Sequence, residues 1–327
     1  MRSQTRTLSG WGRTSPSAAS LVDVDHPEEV AALAAPRGVI ARGLGRAYGD
    51  PAQNGGGDVV RLAPGPILLD PTSATVTVGA GVSLDELLRH IVPRGFFVPV
   101  TPGTRFVTIG GAIASDIHGK NHHIDGTFGR HVVAMTMLLA DGSLRTVTPA
   151  ADAELWWATI GGMGLTGVIV DATVGLLPIE TSRCVVDTER IAGLDALIER
   201  MTATDQAYRY SVAWIDLVAT GANLGRSVLT SGDHATYDEL IEDQPRAADD
   251  PLAFDPGSLV SIPPGVPNVL NRLAVRAFNE LWYRKAPRAH RSLESITGFF
   301  HPLDMVGDWN RLYGRAGFLQ YQFVVPF

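Results

Sequence analysis

Between Thr101 and Gly129 the chain reads TPGTRFVTIGGAIASDIHGKNHHIDGTFG, which sets His118, His122, His123, Lys120, Asp116 and Asp125 among six glycines. Histidine and lysine can accept or deliver a proton, and carboxylates can orient them. Glycine at this density implies a backbone that is approached closely or turns through positive φ, at a cost in entropy. The single apolar run, Val107 to Ile113, should pack inside, and a long ordered loop in a compact domain usually has a function. The pattern points to a loop wrapped around a large cofactor. A second glycine-rich stretch runs from Arg42 to Asp50, RGLGRAYGD, after the short apolar strand Val39-Ile40-Ala41. Consecutive N–H groups there could cradle phosphate, or the glycines could serve a tight turn; the motif leaves both readings open.

Other chemistries lack their patterns. The histidines have no H-E-x-x-H context and no neighbouring cysteine, so a metal site is not expected. No G-x-S-x-G elbow is present, and Gly119-Lys120 is followed by Asn121 rather than Ser or Thr. Gly162 to Gly167 matches G-x-G-x-x-G, but it follows a helical segment and opens a strand, the reverse of a dinucleotide-binding context. Net charge of −7 and a pI near 5.7 leave no footprint for nucleic acid. Cys184 is the only cysteine, so no intrachain disulfide is possible. The N-terminal stretch has no apolar core of a secretory signal, and no run of about 18 apolar residues suggests a membrane span.

The elements that must position these loops follow from periodicity. A helix should start near Pro27, and Thr75 to Val82 alternates as a strand. Ser83 with Glu86 forms a capping box ahead of the helix Leu84 to Arg89. Gly95 to Val100 reads as a strand leading into the long loop, and Val132 to Ala140 with Leu144 to Val147 as a hairpin about Asp141-Gly142. Ala153 to Thr159 reads as a helix and Val168 to Leu176 as a strand. Beyond Arg183 a helix is expected over Ile191 to Met201, a strand over Tyr208 to Trp214 and a helix over Ala235 to Glu242. Pro251 to Pro267 reads as irregular. Gly317 to Val325 alternates as a last strand with Gln320 and Gln322 on one face, which suits a polar pocket wall or a solvated face equally. The fold class is α+β, with two domains, 1–180 and 181–327, and the glycines concentrated in the first.

The blocks Ala41 to Asp50, Pro102-Gly103-Thr104-Arg105, Thr108 to Gly111 and Asp116 to His123 together resemble the vanillyl-alcohol-oxidase-type flavoenzymes. Gly161 to Gly167, Leu281 to Lys285, His301 to Met305 and Gly317 to Phe323 extend the resemblance over essentially the whole chain. It implies a two-domain FAD-binding fold whose second domain lays an antiparallel sheet over the flavin ring. Within the family the likeness is to members that oxidise the ribose 2′-hydroxyl of a polyprenyl-phosphate sugar to a ketone. A partner NAD(P)H-dependent keto-reductase then completes an epimerisation that feeds cell-wall arabinan. The alternatives are an alditol or sugar-lactone oxidase using O₂, or a flavin-binding remnant without turnover.

Carried over by position, the resemblance implies flavin contacts from Arg42, Gly43, Leu44, Gly45, Arg46, Ala47, Tyr48, Gly49 and Asp50. It adds Gly103, Thr108, Ile109, Gly110, Gly111, Ser115, Asp116, Ile117, His118 and Val168. It places Tyr48, His118 and Lys120 at the reacting sugar and Trp214, Gln320 and Gln322 in its wall. His118 would accept the hydroxyl proton or hold the loop; Lys120 would meet a phosphate or flavin oxygen, or be a solvated lysine. Trp214 would otherwise read as core. Relatives with covalent flavin carry a histidine near Arg46-Ala47, so FAD is expected to be non-covalent. Ser115 stands where the family pattern has cysteine and Phe300 where it has tyrosine. The pattern runs well beyond Phe327, so a truncated substrate domain is expected. The protein should sit peripherally on either face of the inner membrane, through its lipid substrate, with no nucleic-acid partner.

Overall fold

The computed structural model of the chain describes residues 1–33, 35–257, 260–268 and 270–323. The first sheet contains β1 (Arg2–Leu8), β2 (Ser17–Val24), β3 (Val39–Ala41) and β4 (Asp58–Leu62), in the order β1-β2-β4-β3. β2 and β3 both run parallel to β4, so Val22 and Val60 face each other in a small core. Helix α1 (Glu28–Ala31) follows β2, with Pro27 at its N-cap.

A second sheet sets side by side, in this order, β5 (Ile67–Asp70), β6 (Thr75–Gly79), β10 (Val168–Gly175), β8 (Val132–Leu138) and β9 (Leu144–Val147). After β6 comes α2 (Leu84–Ile91), which the capping box of Ser83 and Glu86 starts as the sequence suggests. It buries Leu84, Leu87, Leu88 and Ile91, one stripe at helical spacing. The expected strand at Gly95 to Val100 contracts to β7 (Phe96–Phe97). The stretch 101–129 is no continuous loop: it contains α3 (Ile109–Ala114) and the single turn α4 (His122–Asp125). Next come the hairpin β8 (Val132–Leu138) and β9 (Leu144–Val147), α5 (Ala153–Thr159) and β10 (Val168–Gly175). β11 (Leu177–Pro178) returns to pair with β7.

The third sheet is built from β12 (Arg183–Ile191), β13 (Tyr210–Ile215), β14 (Ser227–His234) and a strand at Ala289–Ser295, all antiparallel. Helix α6 (Leu194–Thr204) covers its outer face through Leu197, against Ile191 and Leu229. It begins three residues after the expected Ile191, because that residue completes the ladder of β12. After α7 (Tyr237–Asp243) and the two-residue β15 (Val260–Ser261) the chain forms α8 (Arg272–Lys285). The sheet's last strand is β16 (Ala289–Ser295), followed by α9 (Ile296–Phe300) and β17 (Val306–Gly307). The order is β13-β14-β12-β16.

One hydrophobic core runs from the second sheet into the third, joining Val76, Leu87, Ile113 and Met135 with Cys184, Tyr210, Phe299 and Phe300. The expected final strand does not form over residues 317–323. Gly317 takes a left-handed φ of 65° and Phe318 N donates to Gly12 O at 2.9 Å, which draws this segment onto the N-terminal loop. Val324 and Val325 lie outside the described residues. No helix among the described residues is long and apolar enough to cross a membrane.

Candidate functional site

Two glycines in six residues make α3 a poor helix by propensity, so its surroundings must hold it. Thr108 caps it by accepting from Gly111 N at 3.2 Å. The amides of Ile109 and Gly110 donate to Val82 O and Ala80 O, each at 2.9 Å. A Cβ on Gly43 would collide with Thr108 Oγ1, and one on Gly110 would come within 3.1 Å of Ala80 Cβ. Glycine is therefore required where the two motif loops touch and where α3 leans on the chain after β6. At the far end, Gly161 N and Met163 N donate to Ile113 O and Ala114 O at 3.0 and 2.8 Å. Gly161 and the G-x-G-x-x-G segment that follows it thus donate to carbonyls at the C-terminal end of α3.

The loop after β3 is pinned from both sides. Arg42 donates to Ser9 O at 2.7 Å and Ala52 O at 2.9 Å, while Trp11 N and Gly12 N donate to Ala47 O and Tyr48 O. The Ala47, Tyr48 and Asp50 carbonyls are used, yet among the described residues no amide from Gly43 to Asp50 donates to a protein acceptor. The Arg46 guanidinium lies 3.8 Å above the Trp11 ring, and its buried Nε has no protein partner. Unpaired N–H groups beside a cation fit the diphosphate of a dinucleotide such as FAD. Tyr48 packs edge-on against Phe318 at 5.1 Å and near Trp309, and burial raises its pKa, keeping the phenol neutral.

Thr101 to Arg105 is tied across some 200 residues of sequence. His301 Nε2 meets Thr101 Oγ1 at 2.9 Å, and Asp304 accepts from Thr104 Oγ1 at 2.5 Å and Arg105 N at 2.8 Å. Arg105, only 2% exposed, also pairs with Asp85. Asp304 and Arg105 stand inside blocks that were legible, but nothing local in the sequence signals their pairing. Gly103 sits beside Leu303 in this arrangement.

Beyond α3, Asp116 adopts a positive φ of 40° and its Oδ1 accepts from Gly129 N at 2.9 Å, closing the turn that presents Ile117 and His118. Ser115 is exposed, with Met163 Sδ 3.9 Å from its hydroxyl, while Val168 is buried at the head of β10. His118 Nε2 lies 2.6 Å from Gln322 Nε2, and its ring is 5.9 Å from that of His122. An amide N–H can only donate, so the histidine nitrogen facing it is the unprotonated one. Partial burial and then the like charge of His122 hold the His118 pKa below its usual value, overcoming Asp116.

Lys120 turns away from solvent. Its Nζ donates to Phe299 O at 2.6 Å and lies 4.1 Å from the centre of the Phe299 ring. Burial lowers its pKa to about 8, only partly countered by Glu294 and Cys184. The backbone around it docks on the edge of the third sheet: Ser211 N donates to Lys120 O at 2.8 Å, and Arg209 makes a bidentate pair with Asp125. Trp214 lies on the same strand face as Tyr210, two residue pairs further along β13, and is half-buried. Gln320 is exposed. Among the described residues no hydrogen bond or ring contact links Trp214 or Gln320 to His118. The structure therefore gathers His118 with Gln322 and Tyr48 with the glycine loop, and sets Lys120 against the second-half core.

Residues 19–148 match the FAD binding domain family. The chain is 47% identical to the decaprenylphosphoryl-beta-D-ribose oxidase of Mycolicibacterium smegmatis, over 98% of this chain and 72% of that protein. An uncharacterized protein of Streptomyces coelicolor is 36% identical over 75% of this chain and 67% of its own length. The delta(24)-sterol reductase of Mus musculus is 28% identical over 42% of the chain and 27% of that protein.

Proposed function

Because the chain belongs to the decaprenylphosphoryl-beta-D-ribose oxidase family and carries an FAD-binding domain, we propose that it oxidises the 2′-hydroxyl of a polyprenyl-phosphoryl ribose to the ketone. Residues 1–180 serve as the FAD domain and 181–327 as the substrate domain. Bound FAD, held without a covalent link, supplies the hydride acceptor. Gly43 to Asp50 bind its diphosphate through their unpaired amides, with Arg46 as counter-charge. Gly110, Gly111 and Thr108 act there by close approach, since the helix amides are already engaged.

The observation that carries the sugar chemistry is the meeting of His118 and Gln322 at 2.6 Å across 204 residues of sequence. The sugar hydroxyl replaces the Gln322 amide as donor to His118 Nε2. The proton then passes to that nitrogen as the C2′ hydride leaves. Gln322 and Gln320 hold the sugar's other hydroxyls, Trp214 covers it, and Lys120 neutralises negative charge at the inner end of the site. The ketone passes to a partner NAD(P)H-dependent reductase, and the enzyme works peripherally at the inner membrane where its lipid substrate resides.

Anaerobic mixing of the FAD-loaded chain with farnesyl-phosphoryl-ribose tests the reading, and loss of the visible flavin absorbance is the expected result. A yellow protein that never bleaches would mark a binding remnant, and a colourless one would sink the flavin assignment. Hydrogen peroxide released with free sugars would instead identify an alditol-type oxidase.

A further inference from the structure

Helix α8 is mounted the reverse of an ordinary surface helix, whose apolar stripe faces the core. Its polar side faces the protein. Asn279, 7% exposed, donates to Asp216 Oδ1 at 2.6 Å, Glu280 pairs with Arg226 at 2.7 Å, and Tyr283 lies under the Arg226 guanidinium. Its apolar side faces outward: Leu273, Phe278, Leu281 and Trp282 are 78, 56, 68 and 45% exposed. The Phe278 and Trp282 rings stack 5.9 Å apart, so the stripe is pre-ordered. The loop to which Asn279 clamps the helix carries two more exposed apolar side chains, Leu217 and Leu224.

Charge selects the occupant. From Leu270 to Arg291 the sequence holds six Arg or Lys against the single acid Glu280, on a chain whose net charge is −7. A second copy seated face to face would bring these like charges together. A leucine and aromatic stripe flanked by cations matches an interfacial helix at an anionic bilayer. We propose that α8 docks the enzyme on an anionic lipid surface, Phe278 and Trp282 entering the headgroup boundary while Arg272, Arg284 and Lys285 pair with lipid phosphates. This deepens the polyprenyl-phosphate reading and rests on it for its purpose, because a lipid substrate is then met where it lies.

Flotation of the FAD-loaded chain with vesicles tests the proposal. Binding to phosphatidylcholine vesicles containing phosphatidylglycerol is expected to exceed binding to pure phosphatidylcholine by at least about tenfold. The double variants Phe278→Ser/Trp282→Ser and Arg284→Glu/Lys285→Glu should each lose that excess while keeping FAD and their melting temperature. Wild type left in solution with anionic vesicles, or variants that float equally well, would overturn the proposal. So would a wild-type dimer, seen by light scattering, that the Phe278→Ser/Trp282→Ser change dissociates. Flavin bleaching by the short-prenyl substrate in vesicle-free solution is a separate readout. If it fails while flotation holds, the substrate reading falls and the docking surface stands; if flotation alone fails, only the docking surface falls.

Discussion

Burial leaves the Lys120 ammonium with one carbonyl and one aromatic face, and its pKa falls from the ordinary lysine value to about 8. The folded state therefore binds fewer protons than the unfolded chain between pH 8 and about 10.5, so stability rises with pH across that window and is flat on either side. The rise attributable to this group is at most about 3 kcal/mol. In Lys120→Met it should vanish, so urea midpoints of wild type and variant should converge or cross above pH 8. Parallel midpoints from pH 7 to 10 would show that Lys120 is solvated. At His118 the test is kinetic. If its Nε2 takes the hydroxyl proton, His118→Ala should slow anaerobic flavin bleaching by roughly 10²–10⁴-fold while FAD stays bound. A variant that bleaches at the wild-type rate would reduce His118 to a brace for the loop.

Among the elements, α2 and the β8–β9 hairpin were legible because their signals are local: a Ser83–Glu86 capping box, and Asp141-Gly142 between apolar runs. α3 was not. Gly110 and Gly111 argue against a helix on propensity, and the close approach of Gly110 to Ala80 and of Gly111 to Thr108 shows what a larger side chain there would meet. The alternation of Gly317 to Val325 points to a strand, but a strand needs a neighbour, and at Phe318 the chain binds the Gly12 loop instead. The candidate site residues stand in motif blocks, whereas the links between them, Asp304 to Arg105 and Gln322 to His118, carry no local signature. Gly43→Ala tests the joint between the two loops. The added methyl must push Thr108 from its capping position, at a cost on the order of 1 kcal/mol, and displace the amides after Gly43. The purified variant should retain its fold by circular dichroism and bind FAD at least about tenfold more weakly. Unchanged FAD affinity would remove Gly43 from the cofactor cradle.

Across the whole molecule, the third sheet is joined to the second by an aromatic seam in which Phe97, Tyr210 and Phe300 meet His234, with Phe299 packed on Tyr210 and Phe300. Because this seam belongs to the same core as the second sheet, the two halves should unfold together in one transition. His234 is the weak point of that seam. Both its ring nitrogens are shielded from solvent without a protein partner, and burial drives its pKa down to about 3. Its folded pKa lies below the unfolded value of 6.5, so the unfolded chain gains protons first as pH falls. Stability is full above pH 6.5, declines between 6.5 and about 3, and levels below that. At pH 4.5 this one group costs roughly 2–3 kcal/mol relative to pH 7. His301, buried with a pKa also near 3, adds to the same decline. Replacing His234 by phenylalanine keeps an aromatic ring against Phe97 and Phe300 and removes the titration. The variant should match or exceed wild type at pH 7 and exceed it by a clearly larger margin at pH 4.5, read from urea midpoints at the two pH values. An equal difference at both would mean that His234 already titrates normally and that the seam admits water.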